Sequence, residues 1–212
     1  MSRMADASLE SRRDGFLAAG ATFVDVVARI RADQWTAPGL GVWKVRALVG
    51  HTNRSLVTLA TYLQQPVEVV ELATPAAYFV AVRGVAPADE VERRGVQAGE
   101  ALGDDPATVV QASYDAASHA LNDNGSADPA IHTAGGGMAL SAYLSTRTFE
   151  LVAHTLDIAA ATGVGVLVPP APMIEAMALA AELAATKTDA GAVLSALLGR
   201  RSLPQGYSVI DM

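Results

Sequence analysis

The sequence predicts an all-α protein, a four-helix bundle with extra short helices. Three observations predict it. Apolar residues recur three and four apart through several long segments, Pro, Gly and Asp punctuate the chain between those segments, and no fixed-period repeat or low-complexity linker interrupts them.

Residues 8–30 place Phe16, Ala19, Phe23, Val26, Val27 and Ile30 on one helical face, with Arg12, Arg13, Asp25 and Arg29 largely elsewhere. Residues 35–43 hold one Pro and two Gly without periodicity, so they read as a loop pinned by Trp35 and Trp43. From Lys44 to Gln64 the helical spacing returns through Val45, Leu48, Val49, Leu56, Leu59 and Leu63, and Pro66 stops it. His51 falls three residues after Leu48, at the edge of that inward face. Residues 66–101 are expected to hold short helices after Pro75 and after Pro87, weakened by Gly84, Gly95 and Gly99.

Asp105-Pro106 is a helix start, an N-cap acceptor followed by Pro at the first helical position, and the pattern runs to about Leu121. Residues 122–137, with Asn-Asp-Asn-Gly-Ser and three consecutive glycines, read as a long surface crossover. Ser141–Thr162 is a helix with Gly163 as its stop. A connector over 164–170 leads into Pro172 and an Ala-rich helix to about Thr186. Asp189 is expected to cap a last helix through Leu198, with an irregular tail from Arg200 to Met212.

At 212 residues the chain is read as a single domain over 1–212, an ordered bundle over about 8–199 followed by a C-terminal tail over 200–212. A net charge of -7 argues against nucleic acid as a partner. Hydrophobic residues make up 51%, yet stretches such as Ala76–Val82 fall far short of the roughly 20 residues of a bilayer span, so no membrane association is expected. The N-terminus carries Arg3, Asp6, Glu10, Arg12, Arg13 and Asp14 without an apolar region, which argues against a secretory signal. The protein is expected in the cytoplasm.

With no cysteine, a disulfide framework, a zinc finger, an iron–sulfur cluster and a cysteine nucleophile are all excluded. Any metal must be held by His, Asp or Glu, and there are four histidines: His51, His119, His132 and His154. In Arg147-Thr-Phe-Glu150-Leu-Val-Ala-His154-Thr-Leu-Asp157, the Glu and His four apart stack on one helical face, close enough to share an ion. His51, on an independent helix, could provide a third ligand. Two His and one Glu suit a catalytic zinc site because three protein ligands leave a coordination position open. Asp157, one turn past His154, could orient an imidazole of that set from outside the ligand shell. The alternatives are plain: Glu150 and His154 as an ordinary surface pair, and His51 as a packing histidine.

Two separated segments carry a resemblance. Trp35 with Gly41-Val-Trp43-Lys-Val-Arg46-Ala-Leu-Val-Gly-His51, and Glu150-Leu-Val-Ala-His154-Thr-Leu-Asp157, resemble the signatures of the mycothiol-dependent maleylpyruvate isomerase N-terminal family, part of the DinB-like superfamily of metal-binding four-helix bundles. The similarity also takes in Gly136-Gly137-Met138 and Leu198-Gly199-Arg200. It implies His51, Glu150 and His154 as metal ligands, a divalent cation with zinc as the default and nickel as the alternative, and mycothiol as co-substrate. Relatives that isomerise maleylpyruvate carry a further C-terminal domain, which is not expected in a chain ending at Met212. Val42 and Thr52 also depart from the common pattern, which bears on substrate more than on fold or ligands.

The resemblance implies a metal-dependent S-transferase or isomerase acting on a small-molecule substrate with a low-molecular-weight thiol, and is compatible with a homodimer. Two other functions use the same residues: a non-catalytic metal-binding bundle for stress or interaction, and a metal-dependent hydrolase. Other motifs argue less. His119 is expected against helix-terminal carbonyls and His132 in solvent. The triple glycine lacks the strand and Lys-Ser/Thr of a phosphate loop, Ser141 and Ser145 lack a nucleophile elbow, and Glu90, Glu92, Arg93 and Arg94 read as a solvated helix face.

Overall fold

The computed structural model describes residues 8–83, 87–187 and 189–210. Arg3, Asp6 and Gly84, used in the sequence argument, lie outside them. Helices dominate the described residues: α1 (Leu9–Ala28), α2 (Val45–Tyr62), α3 (Pro75–Val82), α4 (Ala88–Glu100), α5 (Pro106–Asp123), α6 (Leu140–Thr162), α7 (Pro170–Thr186) and α8 (Ala190–Leu197). Their ends follow local chemistry. Ser8 accepts from the Ser11 amide at 3.2 Å, Thr74 from Ala77 at 3.1 Å ahead of Pro75, and Asp105 from Thr108 at 3.2 Å ahead of Pro106. Gly163 closes α6 in the left-handed region at φ 68°, where a side chain would strain the backbone. At α8 the expected cap differs: Asp189 occupies the N-cap position without a side-chain hydrogen bond.

Four of the helices form a closed ring. α1 packs against α5 and α6, and α2 packs against the same two. The apolar faces read from the sequence meet inside it, where Phe16, Phe23, Leu48, Leu56, Leu121, Leu144 and Leu151 are fully buried. α7 covers α6 and α1, α3 lies on α6 and α7, and α4 lies along α2. The α2–α4 approach depends on small residues: a Cβ on Gly50 would stand 2.2 Å from the Gly99 amide nitrogen, and one on Gly99 would stand 2.8 Å from the Arg46 carbonyl oxygen.

The crossover expected over 122–137 is corrected at its second half, which holds an antiparallel hairpin of β1 (Ala130–Thr133) and β2 (Gly136–Ala139). Its register pairs Ile131 with Met138, and both side chains are buried. Residues 65–72 run extended against it: the Val67 amide donates to Ala130 O at 2.9 Å, His132 to Gln65 O at 3.0 Å and Glu71 to Gly137 O at 2.8 Å. Gly137 is needed for this crossing, since a Cβ there would lie 2.1 Å from the Val69 carbonyl oxygen. Of the three glycines read as turn chemistry, Gly135 lies in the hairpin turn and Gly136 takes φ 129°, while Gly137 admits a neighbouring backbone. The helices expected after Pro75 and Pro87 are present as α3 and α4. No helix among the described residues is long and apolar enough to cross a membrane.

Candidate metal centre

Glu150 and His154 project from one face of α6, as their spacing requires, and the packing of α2 on α6 brings His51 to them. His154 Nε2 lies 3.1 Å from Glu150 Oε2, and His51 Nε2 lies 3.9 Å from the same oxygen. One donor atom from each of the three residues falls within 4.8 Å of the other two. Around a tetrahedral ion with bonds of about 2.1 Å, donors stand about 3.4 Å apart, so separations of up to 4.8 Å must close by at most about 1.4 Å for all three to share one ion. Two imidazoles and a carboxylate are also the donor chemistry that zinc accepts. These residues fit a divalent cation.

The cluster is oriented from outside. Asp157 Oδ2 stands 3.1 Å from His154 Nδ1, so the aspartate holds one ring nitrogen and leaves the other facing Glu150. His51 is held by a ring: Trp43 lies against it with centroids 4.5 Å apart, and the His51 and His154 rings meet edge to face at 5.2 Å. Trp43 itself is wedged in place. Its Nε1 donates to the Glu92 carbonyl at 3.1 Å, and Gly95 gives the indole room that a Cβ, 2.5 Å from the ring, would remove. The turn that delivers Trp43 is closed by Trp43 N donating to Leu40 O at 2.9 Å and is built on Gly41 at φ 57°.

Burial and charge divide the three groups. Burial lowers the His51 pKa to about 4, with Glu150 offsetting this only in part, so its imidazole is neutral at pH 7. Burial also disfavours charge on Glu150, but the hydrogen bond from His154 and the charges of His154, Arg147 and His51 hold its carboxyl at about 2. For His154 burial is again opposed, here by the Asp157 and Glu150 carboxylates, which keep the ring protonated up to about 9. The metal-free cluster is thus a neutral His51, an ionised Glu150 and a proton held on His154 that an arriving cation would displace.

The other candidates lie apart. His119 is exposed and 3.4 Å from the Asp123 carboxylate, a correction to the expected contact with terminal carbonyls, and His132 is exposed as expected. Ser141 bonds Asp128 and Ser145 bonds Glu175, so neither hydroxyl is paired with His154. On the 90–94 face, Arg94 pairs with Glu90 at 3.7 Å, while the Glu92 backbone serves Trp43.

Two features escaped the sequence reading: the Trp43 ring on His51, and Arg147. The Arg147 side chain is buried, with its guanidinium 5.2 Å from the Tyr78 ring centroid and 5.0 Å from that of Tyr143. Its signal was a charged residue among Tyr143, Leu144 and Leu151 on the inward face of α6.

A family model described as the mycothiol maleylpyruvate isomerase N-terminal domain matches residues 16–159. The match includes His51, Glu150 and His154 and ends before Leu198-Gly199-Arg200. No curated protein and no solved structure matches the chain.

Proposed function

The chain belongs to the mycothiol maleylpyruvate isomerase N-terminal domain family, and from that premise we propose that it is a metal-dependent enzyme in which His51, Glu150 and His154 hold a divalent cation, zinc by default and nickel as the alternative. Its reaction is thiol chemistry, S-transfer or isomerisation of a small-molecule substrate with mycothiol or a similar low-molecular-weight thiol. The observation that carries the reading is the convergence of three donor atoms within 4.8 Å from two helices, one of them already oriented by Asp157. The chain has no cysteine, so the reacting sulfur arrives with the co-substrate. A bound divalent cation would supply the positive charge that favours thiolate over thiol at neutral pH.

The protein's own groups prepare that site. Asp157 fixes the His154 ring and Trp43 backs His51, so two of the three donors are held against rotation before any ligand arrives. Glu150 is ionised throughout the physiological range, and His51 is neutral there. On this reading the protein acts in the cytoplasm as a single domain.

The test has two parts. Tag-free protein is expected to carry about one zinc per three-ligand site, lost in His154→Ala. Zinc-loaded protein is then incubated with mycothiol, and in parallel glutathione, against a panel of electrophiles. Conjugate formation above background is expected, and is expected to vanish in apo protein and in His51→Ala. Equal metal content in wild type and His154→Ala overturns the ligand assignment. Rates at background for every thiol and electrophile overturn the thiol chemistry, and turnover with water alone assigns hydrolysis in its place.

A further inference from the structure

α7 and α8 lie beyond residue 159, where the family match ends. The inner face of α7 closes the bundle, with Pro172, Ala176, Leu179 and Leu183 buried. A helix that covers a core ordinarily turns charge toward water on its other side. Here the other side is apolar as well. Ile174, Met177, Ala178, Ala181 and Ala185 follow one another at helical spacing along it, and Ile174 and Met177 are 60% and 53% exposed. The carboxylates of α7 leave this face open. Glu182 stands at its rim, and Glu175 turns inward, 2.6 Å from the Ser145 hydroxyl and 3.2 Å from the Arg12 guanidinium. α8 extends the surface: it packs on α7, buries none of its residues, carries no charge, and exposes Leu194, Leu197 and Leu198 by more than half.

The size of this face decides what kind of contact it suits. The five large side chains together present roughly 600 Å², at the top of the about 300 to 600 Å² that the largest apolar patch of a monomer usually covers. With the exposed Ala181, Ala185 and Ala190 at its margin, the face approaches the about 800 Å² that each partner gives to a standard protein–protein interface.

Its shape decides the partner. The large residues of the α7 face, Ile174 and Met177, lie toward the N-terminal end, and the alanines lie toward the C-terminal end. Two α7 helices set antiparallel about a twofold axis place the large end of each over the small end of the other, with Ile174 opposite Ala185 and Ala178 opposite Ala181. The patch is thus complementary to itself, as a twofold contact requires. Charge agrees. Each copy carries a net charge of -7, so a contact between copies must avoid carboxylates, and this face holds them at its edge.

We propose that the protein is a homodimer in which α7 packs antiparallel on α7 of a second copy, flanked by the α8 leucines. The His51, Glu150 and His154 cluster is built by α2 and α6, so each copy keeps its own complete site and the dimer is independent of the reading of that cluster.

Sedimentation equilibrium of the full chain from about 1 to 100 µM, the range in which even a modest interface of this area associates, is expected to give twice the 21.9 kDa chain mass at the upper end. Met177→Glu and Leu197→Glu each place a carboxylate in the contact and are expected to raise the dissociation constant at least about 100-fold. Both positions are more than half exposed, and circular dichroism checks that the fold is kept. Val57→Glu, at an exposed position of α2, is expected to leave the dimer intact. Single thiols report the register, since the chain has no cysteine of its own. Under mild oxidation, a mixture of Ile174→Cys and Ala185→Cys proteins is expected to form a disulfide between copies at least about tenfold faster than either variant alone. A monomer at every concentration, a dimer that survives both glutamate substitutions, or cross-links that form as readily in either variant alone as in the mixture overturns the proposal.

Discussion

Asp157 Oδ2 stands 3.1 Å from Nδ1 of His154, and the opposite nitrogen of the same ring stands 3.1 Å from Glu150 Oε2. One imidazole is therefore held at both ends by carboxylates from its own helix, three residues after it and four before it. The outer contact fixes the ring angle, and the inner one turns the other nitrogen toward Glu150, its partner in the proposed metal site.

Asp157→Asn keeps the side-chain shape and removes the charge. Zinc affinity is expected to fall about 10- to 100-fold, the usual effect of removing a partner that orients a ligating histidine. Competition against a chelator of known affinity measures it. An unchanged affinity would show that Asp157 serves only the metal-free protein.

Metal uptake is expected to release one proton per ion between pH 5 and pH 8. His51, at about 4, is already neutral in that range, and Glu150, at about 2, is already ionised, whereas His154 holds its proton up to about 9. Apparent affinity should thus rise roughly tenfold per pH unit and level off near pH 9. Titration calorimetry in buffers of different ionisation enthalpy counts the protons. The metal-free fold moves the opposite way: a raised folded-state pKa contributes stability that is complete below the unfolded value near 6.5 and is lost as pH climbs through about 9. Release of two protons, or of none, would contradict this assignment of charge.

Gly95→Ala places a Cβ 2.5 Å from the Trp43 ring, which must then move off His51. A loss of about 1 to 3 kcal/mol is expected from overpacking, with a red shift of Trp43 emission in a Trp35→Phe background and weaker zinc binding. Gly191→Ala serves as the comparison, since nothing lies within 4 Å of its added Cβ and the helix position favours alanine by up to about 1 kcal/mol. Equal melting temperatures for the two variants would show that Trp43 is not clamped by α4.

The helices and the Glu150/His154 pair were legible in the sequence because both depend on a local period. An α-helix repeats every 3.6 residues, so an inward face and a four-residue ligand spacing are visible within one segment, and Asp105 and Gly163 mark ends by interactions spanning a few residues. His51 could be named from the sequence only as a possible third ligand, which the resemblance then singled out, because its place beside Glu150 is made by α2 packing on α6 and no spacing encodes that contact. The hairpin over 130–139 was missed for the same reason: its strands are four residues each and are held by residues 65–72, whose backbone needs Gly137 for its passage. Arg147 shows the boundary most sharply. The sequence placed a charge on an inward helical face, but the Tyr78 ring that holds it comes from α3, and only the closing of the tertiary structure decided that the charge would lie against aromatic rings.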